Sequence, residues 1–431
     1  MLKSNTLPQS LADWLVYIEA LHPKTIAMGL ERVEVVRSRL NLNPDFPIIT
    51  VSGTNGKGST CAMLERIYQI AGYNVACYTS PHLLTYNERI RIHGIEITDS
   101  ELCQSFVAVE NARKEIALTY FEFGTLAAMW HMIKKGVDLA ILEVGLGGRL
   151  DAVNVFEPDC SIVTNIDIDH VEFLGNTRES IGYEKAGIFR KCVPAICGDY
   201  NPPVTLIDYA KKIEAELYVI GCDFQPKSID KFKWAYQSTN DSIQDLPIPK
   251  LEGSFQISNA CCVIKAISLM QEKLPLGEEH IVNGLNSVEL KGRFQTLSTN
   301  PDVILDVAHN PHAARTLSDN LKRTTPKGKT IAVFSMLADK DIGAVVKAVG
   351  ENIDTWFVSE NHNPRSAKAD FMADIIKAYF PLKNVKIFNE VSLAFRQACL
   401  DACENDRILV FGSFYTVAEV MHHHRNMNSI Q

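Results

Sequence analysis

Residues 48–60, IITVSGTNGKGST, restrict what this chain can fold into more than any other stretch. Ile48, Ile49 and Val51 read as a buried strand, glycines at 53, 56 and 58 break it into a loop, and helical periodicity follows from Ser59. A strand that turns through glycines into a helix start makes a phosphate site. The glycines let backbone N–H groups converge on anionic oxygens, and the helix N-terminus adds its dipole. Lys57 is placed to reach terminal phosphates, and Ser59 or Thr60 to offer Mg²⁺ a hydroxyl. The pattern G-x-x-x-x-G-K-[ST] is not met to the letter, because Val51 stands at the first glycine and Gly58 at the Ser/Thr. A glycine-rich strand–helix turn is the plainer reading. Strand, glycine loop, lysine and helix start agree, and together they favour nucleotide binding.

At 431 residues the chain exceeds one ordinary hydrophobic core, and two domains are expected. A hydrophobic content of 46% beside 22% charged residues is that of a soluble globular protein. The net charge of −8 gives no general footprint for nucleic acid, so a polyanion partner is not expected. Eleven cysteines lie scattered without a C-x-x-C pair, which indicates neither a zinc site nor a disulfide framework and suits a reducing cytosol. The chain opens on no basic-then-apolar leader and has no run of 18 apolar residues. No membrane association is expected, and the cytoplasm is the expected compartment.

Along the chain, strand and helix signals alternate. Helical periodicity covers 8–40, interrupted at His22-Pro23 and resuming over 24–40. A second strand at 74–78 ends in Thr79-Ser80-Pro81-His82, and a serine at a strand's carboxyl end lies where α/β sheets place ligands. Residues 87–97 alternate like a hairpin turning at His93-Gly94. Helices follow over 100–116 and 122–135, the second introduced by Thr119-Tyr120-Phe121. A buried strand at 138–144 carries Glu143 at its end, just ahead of Gly145-Leu146-Gly147-Gly148-Arg149. An acid there is the usual Mg²⁺ partner of a phosphate-loop enzyme, while a carboxylate capping the loop is the plainer alternative. A strand at 161–165 runs into Asp167, Asp169 and His170, and the helix over 179–190 holds Lys185, which alone reads as a solvated helix lysine.

From 193 to 250 the signals weaken to short strands among polar loops. A helix from Ser258 to 270 carries Asn259 in its first turn, and 291–295 marks a hinge. From Val303 a new pattern begins, with strands at 303–307, 331–335, 355–358, 385–387 and 408–411 between helices. The expected fold class is α/β: a phosphate-loop nucleotide-binding domain with a mainly parallel sheet over 1–295, then a doubly wound, Rossmann-like α/β domain over 296–431. His422-His423-His424 reads as a solvated helix end rather than a metal site.

Taken in order, GTNGKGS, the SPH after the next strand, EVGLGGRLDA, DHVEFLG, YEKAGI, GRF and DVAHNPHA resemble one family, the Mur-ligase-like folylpolyglutamate synthases. TYFEFGTLAA and ESIGYEKAGIFR are most similar to its bacterial bifunctional branch. The resemblance implies an ATP-dependent amide ligase. ATP would phosphorylate the carboxylate of dihydropteroate, or of a folate's terminal glutamate, and the amine of L-glutamate would attack the acyl phosphate. It further implies two Mg²⁺ ions, K⁺ as a further candidate ion, and a monomer whose partners are dihydropteroate, folates and L-glutamate.

Residue by residue, the resemblance assigns ATP to Asn55, Gly56, Lys57, Gly58, Ser59, Thr60, Asn259, Arg293, Asp306 and His309. Metal falls to Ser59, Ser80, Glu143 and His170, with Lys185 carbamylated by CO₂ to hold the second ion; Lys57, Lys185 and His170 are the catalytic set. The pterin side draws on Ala27, Met28, Gly29, His82, Thr119, Tyr120, Phe121, Glu122, Leu150, Asp151 and Ala152, and the glutamate pocket on His309 and Ser413. Phosphoryl transfer to a carboxylate brings repelling anions together, and Lys57 with Mg²⁺ supplies the positive charge between them. Asp306 and His309, at the first strand end of the second domain, would reach the nucleotide on domain closure. Two other readings compete: a ligase of cell-wall precursors with the same ATP chemistry, and a switch protein that only binds ATP. The TYFEFGT and EVGLGGRLDA runs favour folate over the first, and the strand-end residues speak against the second.

Overall fold

The computed structural model describes residues 7–24, 26–230, 232–239, 241–253 and 255–428, with side chains described as far as residue 424. The chain divides into two compact units. One takes the described residues of Met1–Pro81, Tyr86–Lys250 and Ile257–Val288, and the other those of His82–Thr85, Leu251–Gln256 and Glu289–Gln431.

The first unit is built on eight strands: β1 (Ile48–Ser52), β2 (Val75–Tyr78), β3 (Ile90–Ile92), β4 (Ile95–Glu96), β5 (Leu139–Glu143), β6 (Cys160–Val163), β7 (Pro194–Cys197) and β8 (Glu216–Val219). Their order is β4-β3-β2-β5-β1-β6-β7-β8. From β2 to β8 all neighbours are parallel, and β3 and β4 add an antiparallel hairpin at one edge. Strands β1, β2, β5 and β6 are buried at every residue, which is why their sequences are near-continuous apolar runs instead of alternating ones.

Five helices open this unit: α1 (Leu11–Glu19), α2 (Glu31–Arg39), α3 (Lys57–Ile70), α4 (Asp99–Arg113) and α5 (Tyr120–Lys135). Thr98 and Thr119 start α4 and α5 as capping boxes with Glu101 and Glu122. Trp14 of the nine-residue α1 lies among Phe106 and Phe123 in the main core of the unit. Truncating an aromatic buried this way costs about 3–5 kcal/mol, enough to dock a helix too short to be stable alone. A second core gathers Val163, Ile181, Ile188, Ala195 and Leu206, around α6 (Val171–Leu174) and α7 (Arg178–Ala186).

Two readings of this unit need correction. The helix expected over 24–40 begins only at Glu31, because Gly29 takes φ of +138° and the backbone at 26–29 is irregular. The weak region 193–250 contains a helix, Val204–Lys212, and a three-stranded antiparallel sheet of β9 (Phe224–Ser228), β10 (Lys233–Ser238) and β11 (Ser242–Pro247). Only the middle strand carries an apolar run, Trp234-Ala235-Tyr236. The outer two are mostly exposed and polar, and so lack a strand's period.

The second unit holds six strands: β12 (Gln295–Thr299), β13 (Asp302–Asp306), β14 (Thr330–Phe334), β15 (Thr355–Ser359), β16 (Asn384–Phe388) and β17 (Arg407–Phe411). Their order is β12-β13-β17-β14-β15-β16, all parallel except the antiparallel edge strand β12. That is the doubly wound α/β arrangement read from the alternation. The turn expected at 291–295 is present over 291–294, and the antiparallel edge strand β12 that follows it was not expected. His422, His423 and His424 lie on the last helix, Phe414–Asn428, where His423 packs edge-on to Phe395. Among the described residues no helix is long and apolar enough to cross a membrane.

Candidate active site

Strands β2, β5, β1 and β6 are consecutive and parallel, so their carboxyl ends share one edge of the sheet. That edge is where α/β sheets bind ligands. It receives Ser80 after β2, Glu143 at the end of β5, the glycine loop after β1, and residues 164–170 after β6.

The glycine loop is braced from the β6 side. Thr54 N–H donates to Asn165 O and Asn55 N–H to Asn165 Oδ1, each at 2.9 Å, while Thr164 Oγ1 donates to Asn55 O at 2.6 Å. Gly53 has φ of +148°, and a Cβ there would run into the Thr164 hydroxyl, so both backbone and space demand glycine. Gly56, at the N-cap of α3, faces the buried Asn259 side chain. Lys57 bends back over the loop, its Nζ donating to Gly53 O at 2.9 Å and Thr54 O at 3.3 Å. Gly58, Ser59 and Thr60 continue the first turn of α3, with Ser59 and Thr60 buried.

Ser80 and Glu143 meet: Ser80 N–H donates to Glu143 Oε2 at 2.9 Å, and the Glu143 side chain is buried. His170 takes φ of +51° at the head of α6, with its side chain 42% exposed and Nε2 3.9 Å from Asp169 Oδ2. Among the described residues no three His, Cys, Asp or Glu side chains form a ready-made metal cage. A buried carboxylate with Ser80 next to it nevertheless fits Mg²⁺, which takes hard oxygens, few of them from protein, and fills its shell with water and phosphate.

Lys185, on α7, is only 3% exposed, which overturns its appearance as a solvated helix lysine. Burial holds its ammonium well below the ordinary lysine range; the charge of Lys57 pushes the same way, and Asp169 partly opposes. Lys57, Lys185 and Asp169 therefore share one electrostatic field. The helix carrying Lys185 is fastened to the glycine loop after Glu143: Arg149 N–H donates to Glu184 O, and the Arg149 guanidinium pairs with the Glu184 carboxylate, both at 2.8 Å.

The segments expected on the pterin side are tied to one another by hydrogen bonds and ring contacts. Thr119 and Glu122 cap α5 reciprocally, Thr119 N–H donating to Glu122 Oε2 at 2.7 Å. Arg32 pairs with Glu122 at 2.7 Å and also donates to Ala27 O at 2.8 Å. Met28 stands in the irregular stretch between, and Gly29 N–H reaches Leu150 O at 3.4 Å. The Phe121 ring covers Gly145 and stacks on Tyr78, with centroids 5.9 Å apart. Tyr120 is instead engaged edge-on by Tyr86, below the Arg89 guanidinium. Asp151 holds the loop from inside, accepting N–H groups of Leu146 at 2.8 Å and Val153 at 3.0 Å, with Ala152 buried beside it. Burial pushes the Asp151 carboxyl up to about 7, against those N–H groups and the charge of Lys57. Arg32 escaped the sequence reading, since nothing in the spacing links residues 32 and 122.

In the second unit, Asp306 ends β13 and accepts N–H groups of Phe294 at 2.9 Å and Ala308 at 2.8 Å. Burial raises its carboxyl above the usual carboxylate range, and Arg293 opposes the rise. Arg293 lies over the Phe414 ring at 5.1 Å, and His309, whose Nδ1 donates to Val307 O at 2.9 Å, approaches the same ring at 6.1 Å. Phe414 was not foreseen. Ser413 is buried, its Oγ accepting Thr416 N–H at 3.0 Å, with Asn361 Nδ2 at 3.5 Å. That hydroxyl serves the start of the last helix. His82 belongs to the 82–85 segment of this unit.

Residues 51–267 match the family described as Mur ligase middle domain, and 292–414 the Mur ligase glutamate ligase domain. The dihydrofolate synthase/folylpolyglutamate synthase of Escherichia coli K12 is 44% identical over 412 residues, 95% of this chain and 94% of that protein. Among solved structures, E. coli FolC in complex with DHPP and ADP superposes with a TM-score of 0.92 at 42% identity, covering 97% of this chain and 99% of that one. A bifunctional folylpolyglutamate synthase/dihydrofolate synthase with Mn, AMPPNP and L-glutamate bound gives 0.89 at 42% identity, covering 97% and 98%.

Proposed function

Since the chain belongs to the dihydrofolate synthase/folylpolyglutamate synthase family of Mur ligases, we propose how its own residues divide the work of that family's reaction. The chain is an ATP-dependent ligase that joins L-glutamate to dihydropteroate and to folates through an acyl phosphate. The observation that carries the assignment of roles is the shared edge of β2, β5, β1 and β6. It gathers an acid, a serine, a phosphate loop and two lysines at one place.

The loop from Asn55 to Thr60 binds the ATP phosphates through backbone N–H groups, and Asn259, against Gly56, lines the same loop. Lys57 exchanges its two loop carbonyls for phosphate oxygen and faces the charge that grows during transfer. Ser59, Ser80, Glu143 and His170 hold the first Mg²⁺, and a carbamylated Lys185 holds the second. Bound there, the metal neutralises phosphate charge and polarises the oxygens that react. Arg293 and Asp306 serve ATP, the first as a fixed cation suited to phosphate, the second by holding the 294 and 308 backbone in place. His309 and Ser413 serve the incoming glutamate, His82 serves the acceptor, and segments 27–29, 119–122 and 150–152 receive the pterin-bearing acceptor. The reaction is placed in the cytoplasm on a monomer, a compartment in keeping with eleven free cysteines.

Phosphate release from ATP tests the reading. Release is expected only when dihydropteroate and L-glutamate are both present. Equal release from ATP alone would make the chain a nucleotide-binding switch, and release driven by a cell-wall precursor would move it to that branch of ligases. Asp306→Ala is expected to raise KM for ATP about tenfold, as loss of hydrogen bonds to a charged group predicts. Unchanged ATP kinetics would remove Asp306 from the nucleotide site.

A further inference from the structure

The three segments that receive the acceptor come from distant parts of the chain: the irregular backbone at 26–29, the first turn of α5 and the loop after β5. The backbone tie between the first and third is a long bond, Gly29 N–H to Leu150 O at 3.4 Å. The Arg32 guanidinium makes the stronger connections. Its Nη2 donates to Ala27 O at 2.8 Å and to Glu122 Oε1 at 2.7 Å, and Nε faces Oε2 at 3.5 Å. Glu122 Oε2 also accepts the Thr119 N–H, which fixes the first turn of α5 and with it Phe121, whose ring covers Gly145. One side chain thus joins a residue five positions back to a helix start 90 positions ahead.

The Glu122 side chain is 4% exposed and the Arg32 side chain 30%, so this pair is less screened than an ordinary surface ion pair. A planar fork can serve a carbonyl and a carboxylate together, which a point-charge ammonium cannot do in the same geometry. We propose that Arg32 is a positioning residue of the acceptor site: it clamps 27–29 to the start of α5 and fixes the spacing at which the pterin-bearing acceptor is received. This rests on the reading of 27–29, 119–122 and 150–152 as that site. Arg32 takes no part in phosphoryl transfer, and its effect is on how well formed the site is before the acceptor arrives.

Steady-state kinetics on the full chain test this, with Phe121→Ala reporting on the site itself. Arg32→Lys is expected to raise KM for dihydropteroate about tenfold, the loss of one charge-assisted hydrogen bond, while KM for ATP and the melting temperature hold. Truncating Arg32 alone strands a buried charge on Glu122, so a second variant pairs Arg32→Met with Glu122→Gln and is expected to show the same selective rise. A raised KM in Phe121→Ala beside an unchanged one in Arg32→Lys overturns the clamp and leaves the site standing. No change in either variant overturns the site reading and the clamp with it. Equal rises for dihydropteroate and ATP, or a loss of activity matched by a loss of melting temperature, would make Arg32 merely structural and overturn its positioning role.

Discussion

Lys57→Ala is expected to lose about 10²–10³ in kcat with either acceptor, dihydropteroate or folate, the scale set by removing one preorganised charge from a reacting oxyanion. The protein should still fold. The two bonds that Nζ makes run to carbonyls of its own loop, and each is worth on the order of 1.5–3 kcal/mol at most as a charged hydrogen bond. The glycine loop keeps its brace from Thr164 and Asn165, which does not involve the lysine. The variant carries a second signature. Lys57 is among the charges that depress Lys185 and stabilise the ionised form of Asp151. Without it, Lys185 should hold its proton more tightly and take up CO₂ less readily, an effect absent from any model in which Lys57 acts on phosphate alone. Near-normal kcat would remove Lys57 from the reaction.

The glycine loop was legible because its chemistry and its geometry are the same residues: Gly53 is required by φ and by Thr164, and Lys57 stands at the tip. Buried parallel strands were legible for a related reason, since β1, β2, β5 and β6 carry apolar runs that nothing else explains. That Ser80, Glu143 and His170 stand at or just past strand ends is readable from the same runs and draws attention to them. Their grouping as metal ligands, His170 above all, comes from the resemblance. What was hidden is what joins distant segments. Arg32 and Glu122 pair over 90 residues, and Asp151 proves to be held by backbone N–H groups in its own loop. The three-stranded sheet of β9, β10 and β11 was missed because only its middle strand is buried. Lys185 is singled out by the resemblance together with its place closely after Asp169 and His170 in the chain; by itself a lysine in a helix looks solvated until packing shows otherwise.

That burial makes Lys185 the second test. A cationic lysine beside Mg²⁺ is opposed by their Coulomb repulsion, and strongly so in a site that excludes water. Carbamylation removes the conflict. The ammonium first gives up one proton, the neutral amine attacks CO₂, and a C–N bond forms as one C=O π pair moves onto oxygen. A second proton leaves the nitrogen, and a cation has become an anion. The reaction needs the unprotonated amine, and burial with the nearby charge of Lys57 supplies that form well below the pH at which a solvated lysine would. Uptake should therefore rise with pH and with bicarbonate, and intact mass should show the gain of one CO₂ that Lys185→Ala abolishes. Lys185→Ala is expected to lose at least about 10² in rate, since residues that merely orient a metal ligand already account for 10–100-fold. Formate or acetate in the buffer should restore part of the rate by placing a carboxylate in the vacated space. Lys185→Arg should fail as well, because it keeps the positive charge and cannot accept CO₂. A fully active Lys185→Arg enzyme would overturn the modification, and so would wild-type protein whose mass is unchanged under bicarbonate.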